Sequence, residues 1–401
     1  MLRNIRNILL TPIFIGLLVL LSLIVRWHGL PLISLDMQKG LFDWYSFILK
    51  RGFVNAFKED FALYTPAYLY LLWLATLVNG VVSQVTLIKS ISMSFDILSA
   101  FFVYKIIRLK YPHSRVPWLA AALAFSLPTV ILNSSYWGQC DSIYTSFLLG
   151  CLYFLMTERP VWAIFFFSLA FTFKLQAIFL LPFLAVYTLR KKIPWWSYLL
   201  IPAVYILFAL PTIYAGRPWL DVLSIYATQT DKFPKWSVTL PSMYLPLQGS
   251  VPLTKPLTLV TVALAAVIVL TWVYLAWKKH EEDGYNPIIL AALASAALVP
   301  FVLPRMHERY FYLQDLTALI AAFFMPELWF LPILSQVISV MSYGPFLFNY
   351  AFGLQFFGQD IDTLLYLALP FEIILLSVTL WKQFRASKRV ELFESQAENL
   401  S

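Results

Sequence analysis

Apolar runs recur along this chain too often for a water-soluble fold. They lie near 8–27, 88–107, 116–133, 141–156, 160–174, 177–189, 195–214, 256–277, 287–303, 309–325, 328–345 and 363–381. A helix crosses the hydrocarbon layer with about 20 apolar residues, and several of these runs approach that length. Only 12% of the 401 residues are charged, where a soluble domain carries about a quarter. Too little polar surface remains to face water all round. The expected fold is therefore an all-α polytopic membrane protein with about twelve transmembrane helices.

Charge sets the expected orientation. Basic residues cluster at Arg3/Arg6, Lys105/Arg108/Lys110/Arg115, Arg190/Lys191/Lys192, Lys278/Lys279 and Lys382/Arg385/Lys388/Arg389. If every run crosses once and the short stretch 68–78 does not, all five clusters share one side. Positive residues favour the cytoplasmic side, so both termini are expected there. The stretch 68–78 then lies along the outer face. Residues 1–381 read as one membrane domain and 382–401 as a polar cytoplasmic tail. No cleavable signal is expected, since the run after Arg3 and Arg6 lacks a small-residue cleavage site. The basic clusters interrupt apolar runs and do not suggest nucleic acid. Cys140 and Cys151 form neither a disulfide framework nor a metal-ligand spacing.

This topology leaves 28–87, 134–140, 175–176, 215–255, 304–308 and 346–362 outside. The first loop is the longest. Its segments 41–58 and 66–82 carry apolar helical patterning with Trp and Tyr, as interfacial helices do. Polar residues of the outer face fall into four strings. Ser34-Leu35-Asp36-Met37 offers a carboxylate at the membrane surface, placed either as a general base or as a helix N-cap. The corner 135–142 contains Trp137, Gln139 and Asp141. There Asp141 either caps the next helix or joins a site, and Trp137 either anchors at the interface or joins it too. Lys174, in Phe173-Lys174-Leu175-Gln176, either snorkels to water or meets an anion.

Pro304-Arg305-Met306-His307-Glu308-Arg309-Tyr310 is the densest ionisable string. On a helix Arg305 and Arg309 would share a face. With His307 at a helix start they would form a phosphate site, whereas the plain reading is a solvated loop with an internal Arg–Glu pair. Asp96, inside an apolar run, needs either a partner or a function. Together the strings supply one base and several cations, the equipment for displacing a lipid phosphate with a hydroxyl.

In this order the strings resemble the GT-C fold of integral-membrane glycosyltransferases. The nearest likeness is to bacterial mannosyltransferase-related proteins similar to GPI mannosyltransferase II. A more distant one is to the dolichyl-phosphate-glucose-dependent glucosyltransferases of N-glycan assembly. The resemblance rests on Asp36, the string 64–70 (Tyr64 to Tyr70), the string 133–141, Phe173 to Gln176 and the string 305–311, over roughly residues 30 to 350. It implies an inverting hexosyltransferase, with mannose the first choice of sugar and Asp36 as general base. The donor would be a polyprenyl-phosphate-linked sugar held by Arg305, His307, Arg309 and Lys174. Tyr64, Trp137, Gln139, Asp141, Gln176 and Glu308 would bind substrate. The acceptor would be a glycolipid, glycan or protein, and neither cofactor nor divalent metal is required. The cytoplasm-facing charges and the absence of a retention signal favour a prokaryotic plasma membrane, with the site expected on its outer face. Two departures stand out: Leu175 separates Lys174 from Gln176, and Met37 follows Asp36 where some relatives carry a second acid. The reading from another class is a membrane transporter or flippase for a lipid-linked or small anionic substrate.

Overall fold

A computed structural model describes residues 7–229, 235–280, 284–344, 347–348 and 361–385. Arg3, Arg6, Lys388, Arg389 and most of the outer loop 346–362 lie outside these residues, as does most of the 382–401 tail. Each of the twelve apolar runs folds as a helix or a broken helix. Five helices are long and apolar enough to cross a membrane: Pro12–Gly29, Gln84–Lys110, Trp195–Tyr214, Lys255–Lys278 and Thr363–Phe384. A sixth crossing is available if Val116–Ser126 and Pro128–Trp137, bent by 51°, act as one span. The bend has a local cause. Leu127 precedes Pro128, and the proline ring pushes it into an extended conformation (ψ 132°), which ends the first helix.

The remaining apolar helices are shorter than a full crossing, including Asp141–Met156, Pro160–Phe173, Asn286–Val302 and Tyr312–Phe324. These are the buried ones. Asn286–Val302 is rich in Ala and buried along nearly its whole length, so small side chains let neighbouring backbones approach. Conversely, Leu259, Val260, Val267 and Leu270 of Lys255–Lys278 are exposed, as a lipid-facing surface requires.

Four of the five basic clusters hold one end of the bundle together. Lys110 donates to the Phe324 carbonyl at 2.5 Å, and Arg190 to the carbonyls of Ala276 (2.6 Å) and Lys279 (3.1 Å). Lys279 reaches the Gln383 carbonyl, and Lys382 pairs with Glu327 at 2.6 Å. The carbonyls of Ala276, Phe324 and Gln383 are in the last turns of their helices, where cations match the exposed C=O groups and the dipole. Helix Tyr312–Phe324 therefore ends at this basic pole, and its start lies deeper in the bundle, where Tyr312 meets Asp96 midway along Gln84–Lys110.

The first long loop folds as expected in part. Its helices are Phe42–Phe57, kinked at Gly52 (φ 70°), and Pro66–Thr76. The second stops at Thr76, short of residue 82, and eleven residues extend only about 16 Å. It is not a loosely attached surface helix. Tyr68, Leu69 and Leu72 are buried, and the Tyr70 hydroxyl donates to the Phe208 carbonyl at 2.8 Å.

Candidate functional site

The corner that follows the bent span organises the site. Residues 132–137 form one wide helical turn, and Gly138 turns the chain with φ 77°. A side chain there would be strained, and its Cβ would stand 2.9 Å from Met37 Sδ. Close approach at Gly138 thus brings the corner against the Asp36 segment. Two further contacts fix that segment. Ser34 Oγ donates to the Trp137 carbonyl at 2.7 Å, and the Lys89 ammonium donates to the carbonyls of Gly29 (2.7 Å), Leu30 (3.3 Å) and Leu32 (2.6 Å). Lys89 is fully buried and stabilises the C-terminal end of the first span.

Asp36 starts a helical turn, but its side chain makes no capping bond, so the N-cap reading fails. Its Oδ2 accepts from Trp137 Nε1 at 3.0 Å and from Gln139 Nε2. Arg309 Nη1 stands 3.9 Å from the same oxygen. Tyr64 donates to Gln139 Oε1 at 3.2 Å. Burial holds the Tyr64 phenol well above its usual range, so it serves as an O–H donor.

Asp141 is the hub. It accepts from Asn133 Nδ2 at 2.8 Å and pairs with Lys174 at 2.5 Å and Arg309 Nε at 3.3 Å. It therefore does not cap its own helix, and Lys174 does not snorkel. Trp137 is fully buried and packs edge-on against Tyr343, so it is no interfacial anchor either. Glu308 pairs with Arg309 at 2.5 Å, accepts from Thr239 at 3.0 Å and lies 3.7 Å from His307 Nδ1. Burial pushes its carboxyl up, but Arg309 and His307 outweigh that and lower it to about 2. The Arg–Glu pair expected for a plain loop is thus present, though buried.

Exposure separates the three acids. The Asp36 side chain is 32% exposed, against 0% for Asp141 and 2% for Glu308. Asp36 is the accessible carboxylate, while the other two are buried against cations.

The expectation of a shared helical face at Arg305 and Arg309 is overturned. Arg305 has φ 64°, residues 306–307 pair as a short parallel strand with 237–238, and the helix begins only at Tyr312. The proline at 304 and the backbone bond from Arg305 N to the Trp236 carbonyl (2.9 Å) hold this turn open. Arg305 Nη2 reaches Thr258 on helix Lys255–Lys278 (3.1 Å), while Arg309 turns toward Asp36 and Asp141. The expected cation set is therefore not a helix-start site. Its two central cations, Lys174 and Arg309, are already paired with acids.

Direct contacts join Asp36, Tyr64, Trp137, Gln139, Asp141, Lys174, Glu308, Arg309 and His307. Gln176 joins through Tyr310, to whose hydroxyl it donates at 2.7 Å. Asn133, Thr239 and Lys89 are additional members that sequence reasoning missed. Asn133 sits in the corner string itself and was within reach; Thr239, in a loop without pattern, carried no signal. Asp96 has its partner: Arg26 Nη1 at 2.6 Å, with Ser134 at 2.6 Å and Tyr312 at 3.3 Å. This buried pair ties the first span to the corner. In the loop 215–255, Arg217 pairs with Asp60 of the first loop at 2.6 Å, while the side chain of Gln229 lies outside the described residues. Among the described residues no group of three or more His, Cys, Asp or Glu side chains stands in metal-binding proximity. No family model matches this chain, and no curated protein matches it.

Proposed function

We propose that this chain is a GT-C-type inverting glycosyltransferase that moves a hexose, mannose first among the candidates, from a polyprenyl-phosphate-linked donor to a hydroxyl acceptor. The observation that carries the reading is the setting of Asp36. It is the most open acid of the cluster, oriented by Trp137 and Gln139, and lies 3.9 Å from the Arg309 guanidinium. In the proposed step Asp36 takes the acceptor's proton as its oxygen attacks the anomeric carbon from the face opposite the phosphate. The C–O bond to phosphate breaks, and the electron pair leaves with the polyprenyl phosphate. Arg309, Lys174 and His307 stabilise the growing charge, and Arg305, bonded to Thr258, is the further cation of the proposed donor set. Because Glu308 and Asp141 already balance Arg309 and Lys174, the donor phosphate would be gripped by an ordered, charge-compensated set and not by bare cations.

The finer topology belongs to this proposal: about twelve spans, both termini cytoplasmic, and the site on the outer face of a prokaryotic plasma membrane. It is supported by the basic pole at the far end of the bundle from Asp36. The acceptor is a glycolipid, glycan or protein, and no metal is needed. The test is transfer of labelled sugar from polyprenyl-phosphate-mannose and polyprenyl-phosphate-glucose by membranes containing the chain. The second reading, a transporter or flippase, is favoured by one observation: the buried acids Asp315 and Glu372 within the bundle. Uptake without transfer would favour it.

A further inference from the structure

Two carboxyl groups lie inside the bundle away from the Asp36 cluster. Asp315 is in the first turn of Tyr312–Phe324, and Glu372 is midway along Ile361–Phe384. Both are fully buried, together with Gln314, Ser335 and Ser339. A continuous chain of bonds links them. Gln314 Nε2 donates to Glu372 Oε2 at 2.9 Å and to Ser335 Oγ at 3.3 Å. Ser335 and Ser339 donate to Asp315 Oδ1 at 2.6 and 2.9 Å.

The donors of this group are consumed; Thr129 and Gln336, bonded to each other, also stand beside Asp315, and three buried oxygens are left without a close partner: Gln314 Oε1, Asp315 Oδ2 and Glu372 Oε1. The Gln314 amide, bonded to Glu372 and to Ser335, connects the two carboxyls, and its own oxygen is unpartnered. Among the described residues no Lys, Arg or His pairs with either acid. The stretch 345–360, which joins the helices bearing Ser339 and Glu372, contains no Lys, Arg or His. The other charged or titratable groups of the packed helices are engaged elsewhere or are phenols. Asp96 is held by Arg26 and touched by Tyr312, Glu327 pairs with Lys382 at the basic pole, and Tyr343 packs on Trp137.

Two carboxyls without a compensating cation are costly inside a membrane protein. A ligand that offers lone pairs would add to the repulsion, so the ligand must bring positive charge. Both acids are fully buried among side chains, which favours a small ion over an organic cation, and a divalent ion such as magnesium would have to shed water it keeps reluctantly. We propose that Asp315, Glu372 and the Gln314 amide oxygen form a binding site for a small monovalent cation, an alkali ion or a proton, within the bundle. The site does not depend on the sugar-transfer reading.

The test uses the full chain, purified in detergent. Thermal unfolding is followed in sodium chloride and potassium chloride against choline chloride at constant ionic strength, and in choline chloride across pH. Wild type is compared with Asp315→Asn and Glu372→Gln. A rise in Tm with sodium or potassium that both variants lose assigns an alkali ion, with ion affinity about tenfold or more weaker in Glu372→Gln. Indifference to alkali ions, with stability that falls as pH rises in wild type and falls less in each variant, assigns a proton. Dependence on neither, or a dependence both variants retain in full, overturns the site. If the variants do not fold, wild type still decides. Binding of radioactive sodium or an infrared band of protonated carboxyl supports the site, and the absence of both overturns it.

Discussion

The Trp137 indole N–H donates to Asp36 Oδ2 at 3.0 Å, joining residues 101 positions apart in the chain. A hydrogen bond to a charged group contributes about 1.5–3 kcal/mol. Replacing Trp137 with Phe keeps a ring against Tyr343 and removes the donor. If Asp36 must be aimed, kcat for sugar transfer falls roughly 10- to 100-fold, with little change in protein level. An unchanged kcat would show that Gln139 alone suffices to orient the base.

Asp141 carries Lys174 and Arg309 together. Removing its charge leaves two buried cations short of a partner, a loss of about 3–5 kcal/mol. Asp141→Asn should therefore lower Tm clearly, and Lys174→Met should do so as well. Combining them removes both ends of one pair, so the double variant should lose less stability than the sum of the single ones. Strict additivity in a denaturation cycle would mean the pair is not coupled in the folded protein.

Glu308 gives a pH signature. Its carboxyl is lowered from an ordinary 4.5 to about 2. A depressed carboxyl contributes stability that is fully present above the unfolded value and is lost as pH falls through the folded one. The loss should run between about pH 4.5 and 2 and amount to roughly 3 kcal/mol. Glu308→Gln should flatten the Tm profile in that window, and an unaltered acid limb would place the stabilising charge elsewhere.

Gly138 should not tolerate alanine. Its φ of 77° and the 2.9 Å approach to Met37 Sδ act together. The strained backbone alone costs about 1–3 kcal/mol, and the shifted Met37 would carry Asp36 with it. Gly138→Ala is expected to lower Tm and kcat together, whereas Gly249→Ala, also at positive φ but with open space around it, should leave kcat untouched.

The apolar runs predicted the helices well because lipid-facing and buried spans are both written as long hydrophobic stretches. Their crossing lengths are less legible: Pro128 breaks the run 116–133, which looks continuous in sequence. Asp36, Trp137, Gln139, Asp141 and Lys174 could be singled out because each is polar near the end of an apolar run. Their mutual partners could not, since contacts such as Arg26 to Asp96 depend on how distant helices dock. The 304–311 string was misjudged for a local reason: i, i+4 spacing suggests a helical face only where the backbone is helical, and Arg305 at φ 64° is not. Lys89, Asp315 and Glu372 carry the same signal as Asp96, a charge within an apolar run.

The most direct test of the account is transfer of labelled sugar from polyprenyl-phosphate-mannose and polyprenyl-phosphate-glucose by purified wild type and by Asp36→Asn, matched for Tm. The account predicts transfer by wild type and a loss of about 100-fold or more in the variant, the scale of a missing general base. Transfer that survives Asp36→Asn would contradict the role of Asp36, and no transfer by wild type from either donor would contradict the proposed reaction with these sugars.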